Sequence, residues 1–155
     1  MDMDMRPEDV FFSRHSTQDG IDLIKEFEGL HLATYRCPSK ILTIGYGHTR
    51  TVREAMRITK DEAENLLAED VRLFERGVSR LVKVPLNDNQ FSALVCFSFN
   101  VGLGNLDAST LLKLLNRGWY EQVPVQLMRW DHANGEVMGG LARRRAAEGR
   151  LWNKG

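Results

Sequence analysis

The stretch EGLHLATYRCPSKILTIGYGH, residues 28–48, decides the reading of the fold, because the hydrophobic period changes inside it. Upstream, Ile21, Ile24 and Phe27, with Leu23 beside them, recur at helical spacing, and Thr17 or Asp19 offers a side-chain oxygen to cap the start. Glu28 therefore falls in the last turn of a short helix, with Gly29 as its stop. After Leu30 the pattern alternates. LATYRC and ILTIGYGHT, separated by Pro38, Ser39 and Lys40, predict two short strands joined by a proline turn. A hairpin directly after the helix brings Cys37 and Thr43 back over Glu28. Gly45 and Gly47 fall on one side of the second strand, where missing side chains admit another backbone or a ligand.

This placement gives Glu28 a chemical character. The C-terminal end of a helix is the negative end of its macrodipole, so a carboxylate there is disfavoured in its charged form. Phe27 and Leu30 add apolar flanks, which push in the same direction. A carboxyl kept protonated near neutral pH can serve as a general acid, the group that protonates a leaving oxygen in glycoside cleavage. Cys37 brings a thiol whose free pKa is about 8.5. Arg36 or the run Arg143, Arg144 and Arg145 supplies a candidate cation to lower that value. His48 stands alone, and a lone histidine reads first as a structural hydrogen-bonding residue. His15, His31 and His132 form no metal-ligand spacing with one another or with cysteine, so no metal or cofactor is expected. Trp119, Trp130 and Trp152 can stack on sugar rings, but on apolar helix faces they read first as core.

Beyond the hairpin the chain reads as helices. Thr59 and Glu62 form a capping box, and Ala63, Leu67, Val71, Phe74, Val78 and Leu81 follow at helical spacing. A helix of that length in so short a chain is expected to link two lobes. Asn87 and Gln90 start the next helix, with Phe91, Leu94, Val95 and Phe99 on its apolar face, and Gly102 and Gly104 end it. Amphipathic segments at Ser109 to Asn116 and Trp119 to Trp130 follow, then a loop with Asn134, Gly135, Gly139 and Gly140. GLARRRAAEGRLW forms the last helix. The expected architecture is α+β and mostly helical. Its parts are a β-hairpin lobe at about 30–58, a linking helix at about 59–82 and a helical lobe at about 83–155. Substrate is expected in the cleft between the lobes. Residues 1–16 are expected to form a flexible extension to the folded unit 17–155.

Composition bounds the function. With 21 Lys and Arg against 21 Asp and Glu, the formal net charge is zero, so no general basic field draws the chain to nucleic acid. The one local basic concentration is RRRAAEGR. Two cysteines, one in the hairpin and one in the apolar run ALVCFSF, read as thiols made in a reducing compartment. MDMDMRPEDVFFSRHS lacks the charged start and long apolar stretch of a signal peptide, and no run long enough to span a membrane follows.

The spacing E-x8-C-x5-T from Glu28 through Cys37 to Thr43 resembles the active-site signature of the phage-type lysozymes, glycoside hydrolase family 24. The resemblance is carried in order by FEGL-x-L-x-x-Y, TIGYGHT, ITKDEAE, NQFSALVCFSFNVG, STLLKLLNRG and GLARRRAAE, and covers nearly the whole chain after about Thr17. It implies a lysozyme-like two-lobed fold, with Glu28 as general acid and Thr43 holding the attacking water. At the intermediate position the family carries aspartate or cysteine, and here it is Cys37. It also implies a cleft served by Gly45, Tyr46, Gly47, His48 and Arg144. The implied activity is that of an endolysin cutting the β-1,4 bond between N-acetylmuramic acid and N-acetylglucosamine in peptidoglycan. Two alternatives are a lytic transglycosylase giving 1,6-anhydro ends and a non-catalytic wall-binding module. The expectation that goes with the resemblance is a monomer without membrane insertion. It would be held in the host cytoplasm until a holin-type protein opens the way to the wall.

Overall fold

The structure is a computed structural model and describes residues 14–37, 40–133 and 135–155. Helix α1 spans Gln18–Glu28; Thr17 caps it by accepting from Gly20 N, and Gly29 ends it at φ 70°. The chain then doubles back as β1 (His31–Arg36) and β2 (Leu42–Gly45), an antiparallel pair with an irregularity between His31 and Tyr35. Pro38 and Ser39, expected to make the turn, lie outside the described residues.

The second strand is shorter than its alternation suggests. Gly45 adopts φ 65° and Gly47 φ 76°, so the chain turns through Tyr46 and Gly47 and pairs Ile44 with His48 at 3.0 and 2.9 Å. Gly45 and Gly47 therefore do not share one face of a strand. The sheet also gains an edge the pattern did not announce. Thr34 N donates to Met56 O and Ile58 N to Leu32 O, laying residues 56–58 along the other side of β1.

Helix α2 (Lys60–Leu81) carries the predicted capping box of Thr59 and Glu62. Ala63, near its start, packs behind Gly45 of the hairpin, and Gly77, near its end, packs against Leu103 of the helical lobe. One rigid element thus serves both lobes. Helix α3 (Asp88–Val101) starts at the Asn87–Gln90 capping box and is buried along most of its length, with Phe91, Leu94, Val95 and Phe97 all at most 1% exposed. A helix apolar on nearly every side belongs at the centre, surrounded by the others.

Around it run α4 (Leu103–Ala108), α5 (Thr110–Asn116), α6 (Gln122–Leu127) with a 3₁₀ turn at Met128–Trp130, and α7 (Gly139–Asn153). Helix α7 packs against α3, α6 and α1. Three expectations change here. Gly104 does not terminate α3 but lies inside α4, a short helix whose one buried side chain, Leu106, leaves little periodicity to read. The segment from Trp119 becomes helical only at Gln122, since Trp119 and Tyr120 form a turn, and Pro124 is tolerated because it sits in the first helical turn. The expected loop contains a second small hairpin, β3 (His132–Ala133) with β4 (Glu136–Val137), and Gly139 and Gly140 begin α7. Asn134-Gly135 between two extended pairs was the available sequence signal.

Residues 1–13 lie outside the described residues. Arg14 to Ser16, placed with the extension, are held against the body: Arg14 bonds Asp88 at 2.9 Å and Ser16 N donates to Glu75. No helix among the described residues is long and apolar enough to cross a membrane.

Candidate active site

A cleft of about 1210 Å³ separates the hairpin from the helical lobe. Its hairpin wall is built from Tyr35, Cys37, Lys40, Ile41, Thr43 and Gly47, and the helical lobe faces it with Phe99, Asn100, Met138, Leu141, Arg143 and Arg144. Glu28, Asp70, Leu73 and Phe74 lie between them.

Glu28 occupies the end of α1, where the turn to β1 lets its side chain point into this space. Arg144 Nη1 donates to Glu28 Oε1 at 2.9 Å. On the other side the backbone of Gly47 comes so near that a Cβ there would stand 2.6 Å from Oε2. The carboxylate is clamped between a guanidinium and a glycine. This differs from the apolar setting expected from Phe27 and Leu30, because Leu30 is 37% exposed and the group that meets the carboxylate carries a positive charge.

Arg144 is 3% exposed and fully engaged: Nη2 donates to Cys96 O at 3.0 Å and Nε to Glu148 Oε2 at 3.3 Å. It borders the cleft, where the expectation placed it, and it also holds Glu28. Beneath it, Arg145 and Glu148 are both fully buried and paired at 2.7 Å. Burial pushes the Glu148 carboxyl up and the Arg145 guanidinium down, while their mutual attraction opposes both shifts. Arg145 Nη2 also bonds Asn100 Oδ1 at 2.9 Å, which fixes one cleft-lining amide.

Thr43 and Cys37 both border the cleft, as the spacing predicted. Thr43 is 3% exposed, and its hydroxyl donates to Ile41 O at 2.9 Å. With its proton committed, the hydroxyl oxygen is left as an acceptor. Of the cations offered to Cys37, the Arg36 guanidinium binds Glu54 at 2.6 Å and Lys40 O at 3.1 Å. Arg144 pairs with Glu28 and Arg145 with Glu148.

Gly45, Tyr46 and His48 do not line the cleft. Gly45 backs onto Ala63, and Tyr46 is 8% exposed with its hydroxyl on Glu64 Oε1 at 3.2 Å. His48 is 2% exposed, with Nδ1 at 2.7 Å from Asp70 Oδ2 and Nε2 at 2.7 Å from Thr51 Oγ1. It pins the turn to α2 instead of meeting a ligand. Burial pushes the Asp70 carboxyl up, and the His48 and Arg50 charges pull it back. Trp152 is core and Trp130 packs edge-on against Phe97, whereas Trp119 is 49% exposed.

Several cleft residues escaped the sequence reading. Asp70 had a signal, a charged residue next to Leu67 and Val71 on the apolar stripe of α2, which requires a buried partner. Tyr35 had one too, as the last position of FEGL-x-L-x-x-Y. Asn100 and Leu141 lay inside NQFSALVCFSFNVG and GLARRRAAE and Met138 in neither, and each reaches the cleft through the packing of α3 and α7.

The phage lysozyme family model matches residues 25–148, the segment that contains every wall of this cleft. The chain belongs to the phage lysozyme family. Its phage lysozyme relatives include the endolysin of Bacillus phage B103, 43% identical over 90% of this chain and 54% of that protein. The endolysin of Acyrthosiphon pisum secondary endosymbiont phage 1 is 39% identical over 89% of this chain and 97% of its own length. The chain therefore spans about half the length of the Bacillus phage relative and nearly all of the other. Among solved structures, the muramidase domain of SpmX from Asticaccaulis excentricus superposes with a TM-score of 0.84 at 37% identity, covering 92% of this chain and 100% of that one. The lysozyme-like, two-lobed α+β architecture is shared with that domain.

Proposed function

We propose that this chain is an endolysin-type muramidase that hydrolyses the β-1,4 bond between N-acetylmuramic acid and N-acetylglucosamine in bacterial peptidoglycan. The observation that carries the reading is the clamped carboxylate: Glu28, fixed between Arg144 and Gly47, lines the same cleft of about 1210 Å³ as Cys37 and Thr43. Glu28 gives its proton to the leaving oxygen. Arg144, already bonded to Oε1, stabilises the carboxylate as it forms, so its charge acts where negative charge develops. Thr43 accepts a hydrogen bond from the incoming water and fixes its line of attack. Cys37 borders the same space as an auxiliary base or electrostatic partner. Gly47 serves the acid by yielding room to it, and Lys40, Arg50 and Arg143 give the rim a positive charge that suits acidic stem peptides.

The enzyme works as a monomer, is held in the host cytoplasm until lysis, and depends on a holin-type membrane protein for access to the wall. Purified Gram-negative sacculi provide the test. Wild-type protein should clear them and release reducing ends, and Glu28→Gln should lower the rate by about a hundredfold or more, the scale of a lost general acid. Release of 1,6-anhydro ends would instead identify a transglycosylase, and binding without clearing a wall-binding module. In cells making the chain alone, lysis should follow only when the inner membrane is breached chemically.

A further inference from the structure

Tyr35 stands directly opposite Thr43 in the β1–β2 pairing, so the two side chains leave the same face of the hairpin with Cβ atoms about 4.5–5.5 Å apart. Both line the cleft. The Tyr35 ring is held by the His31 ring, centroid to centroid at 4.0 Å and tilted by 34°, which restricts the direction of its hydroxyl. That hydroxyl has no protein hydrogen-bond partner among the described residues, unlike Tyr46, whose hydroxyl binds Glu64, and Tyr120, whose hydroxyl binds Pro85 O. A half-buried phenol that lines the cleft without a protein partner among the described residues is available to a ligand or a water molecule.

We propose that the Tyr35 hydroxyl is the second anchor of the attacking water, acting with Thr43. This rests on the muramidase reading. Two oxygens on one face of the hairpin fix a water far better than one, and this chain lacks the intermediate carboxylate that would otherwise orient it: position 37 is a cysteine. Burial, together with the nearby charges of Glu28 and Cys37, pushes the phenol up, so Tyr35 stays protonated and works as a hydrogen-bonding group, not as a base. In the step itself the water oxygen bonds to the anomeric carbon as the glycosidic C–O bond breaks. Glu28 gives its proton to the leaving oxygen, and the surplus proton of the water leaves to solvent in the open cleft, from which Glu28 is reprotonated.

The test is Tyr35→Phe, which keeps the ring and its packing. Its kcat on sacculus glycan should fall by about ten- to a hundredfold with KM unchanged, as expected for a misplaced nucleophile. Combining it with Thr43→Ala should cost clearly less than the product of the two single losses, because both groups hold one water. With methanol added as a competing acceptor, the variant should yield more methyl glycoside relative to reducing ends, a ratio that a merely structural role does not move. Unchanged kcat, or a raised KM with kcat intact, would overturn the proposal while leaving the muramidase reading in place. An inactive wild type would remove both.

Discussion

Gly47 has space for a hydrogen and nothing larger. Its φ of 76° already disfavours any other residue, and the Glu28 carboxylate occupies the volume a methyl would need. Gly47→Ala should therefore lose activity more than stability. The backbone strain costs about 1 kcal/mol, readable as a small drop in the urea midpoint. Displacement of Glu28 from Arg144 should lower kcat by about tenfold or more, as misplacement of a reacting group does. A variant with lowered midpoint and full kcat would show that Glu28 does not need this glycine. The same residue shows what sequence discloses at this scale. Glycines at positions 45 and 47 announce a close approach, but not to what. The approaching group turned out to be a side chain nineteen residues earlier, and Gly45 faces Ala63 instead.

Among elements, α1 and α2 are tied together near the hairpin by Lys25 and Glu64, 2.8 Å apart, with the Tyr46 hydroxyl on the same carboxylate. The hydrogen bond from Lys25 holds the Glu64 carboxyl below its ordinary value of 4.5, and Glu64 in turn holds the Lys25 ammonium above 10.5. A lowered carboxyl binds protons less readily when folded, so its contribution is present above about pH 4.5 and is lost as pH falls through the folded value. The raised ammonium contributes below about pH 10.5 and loses that contribution as pH rises further. Glu64→Gln should accordingly lower the thermal midpoint more at pH 7 than at pH 3, because the wild-type pair weakens as pH falls toward the folded value of the carboxyl. The effect will be modest, because both side chains are partly exposed. Equal effects at both pH values would exclude the ion pair as the cause. The elements themselves were the most legible layer. Thr59 with Glu62 and Asn87 with Gln90 named two helix starts because capping is a local matter of three or four residues. The short α4 and the β3–β4 pair escaped because neither is long enough to set up a period.

At the scale of the whole molecule, the cleft-lining face of α7 is fastened to the rest by charges set in the core. Arg144 reaches α1 through Glu28 and α3 through Cys96 O, while Arg145 and Glu148 pair beneath it with no exposure to solvent. Glu148→Gln should leave Arg145 buried without a counter-charge, and unpairing of that kind costs about 3–5 kcal/mol. Equilibrium urea unfolding measures it, with a loss under 1 kcal/mol refuting a structural role for the pair. What the sequence determined alone was the order of elements, the membership of Glu28, Cys37 and Thr43 in one cleft, and the helix shared by both lobes. Those rest on spacing, and spacing follows from backbone geometry within a few turns. Only the tertiary structure decided that His48 and Tyr46 turn inward, that Arg144 bonds Glu28, and that Tyr35 stands beside Thr43. Glu28 and Arg144 lie 116 residues apart, and no local rule links their charges until α7 has packed against α1 and α3.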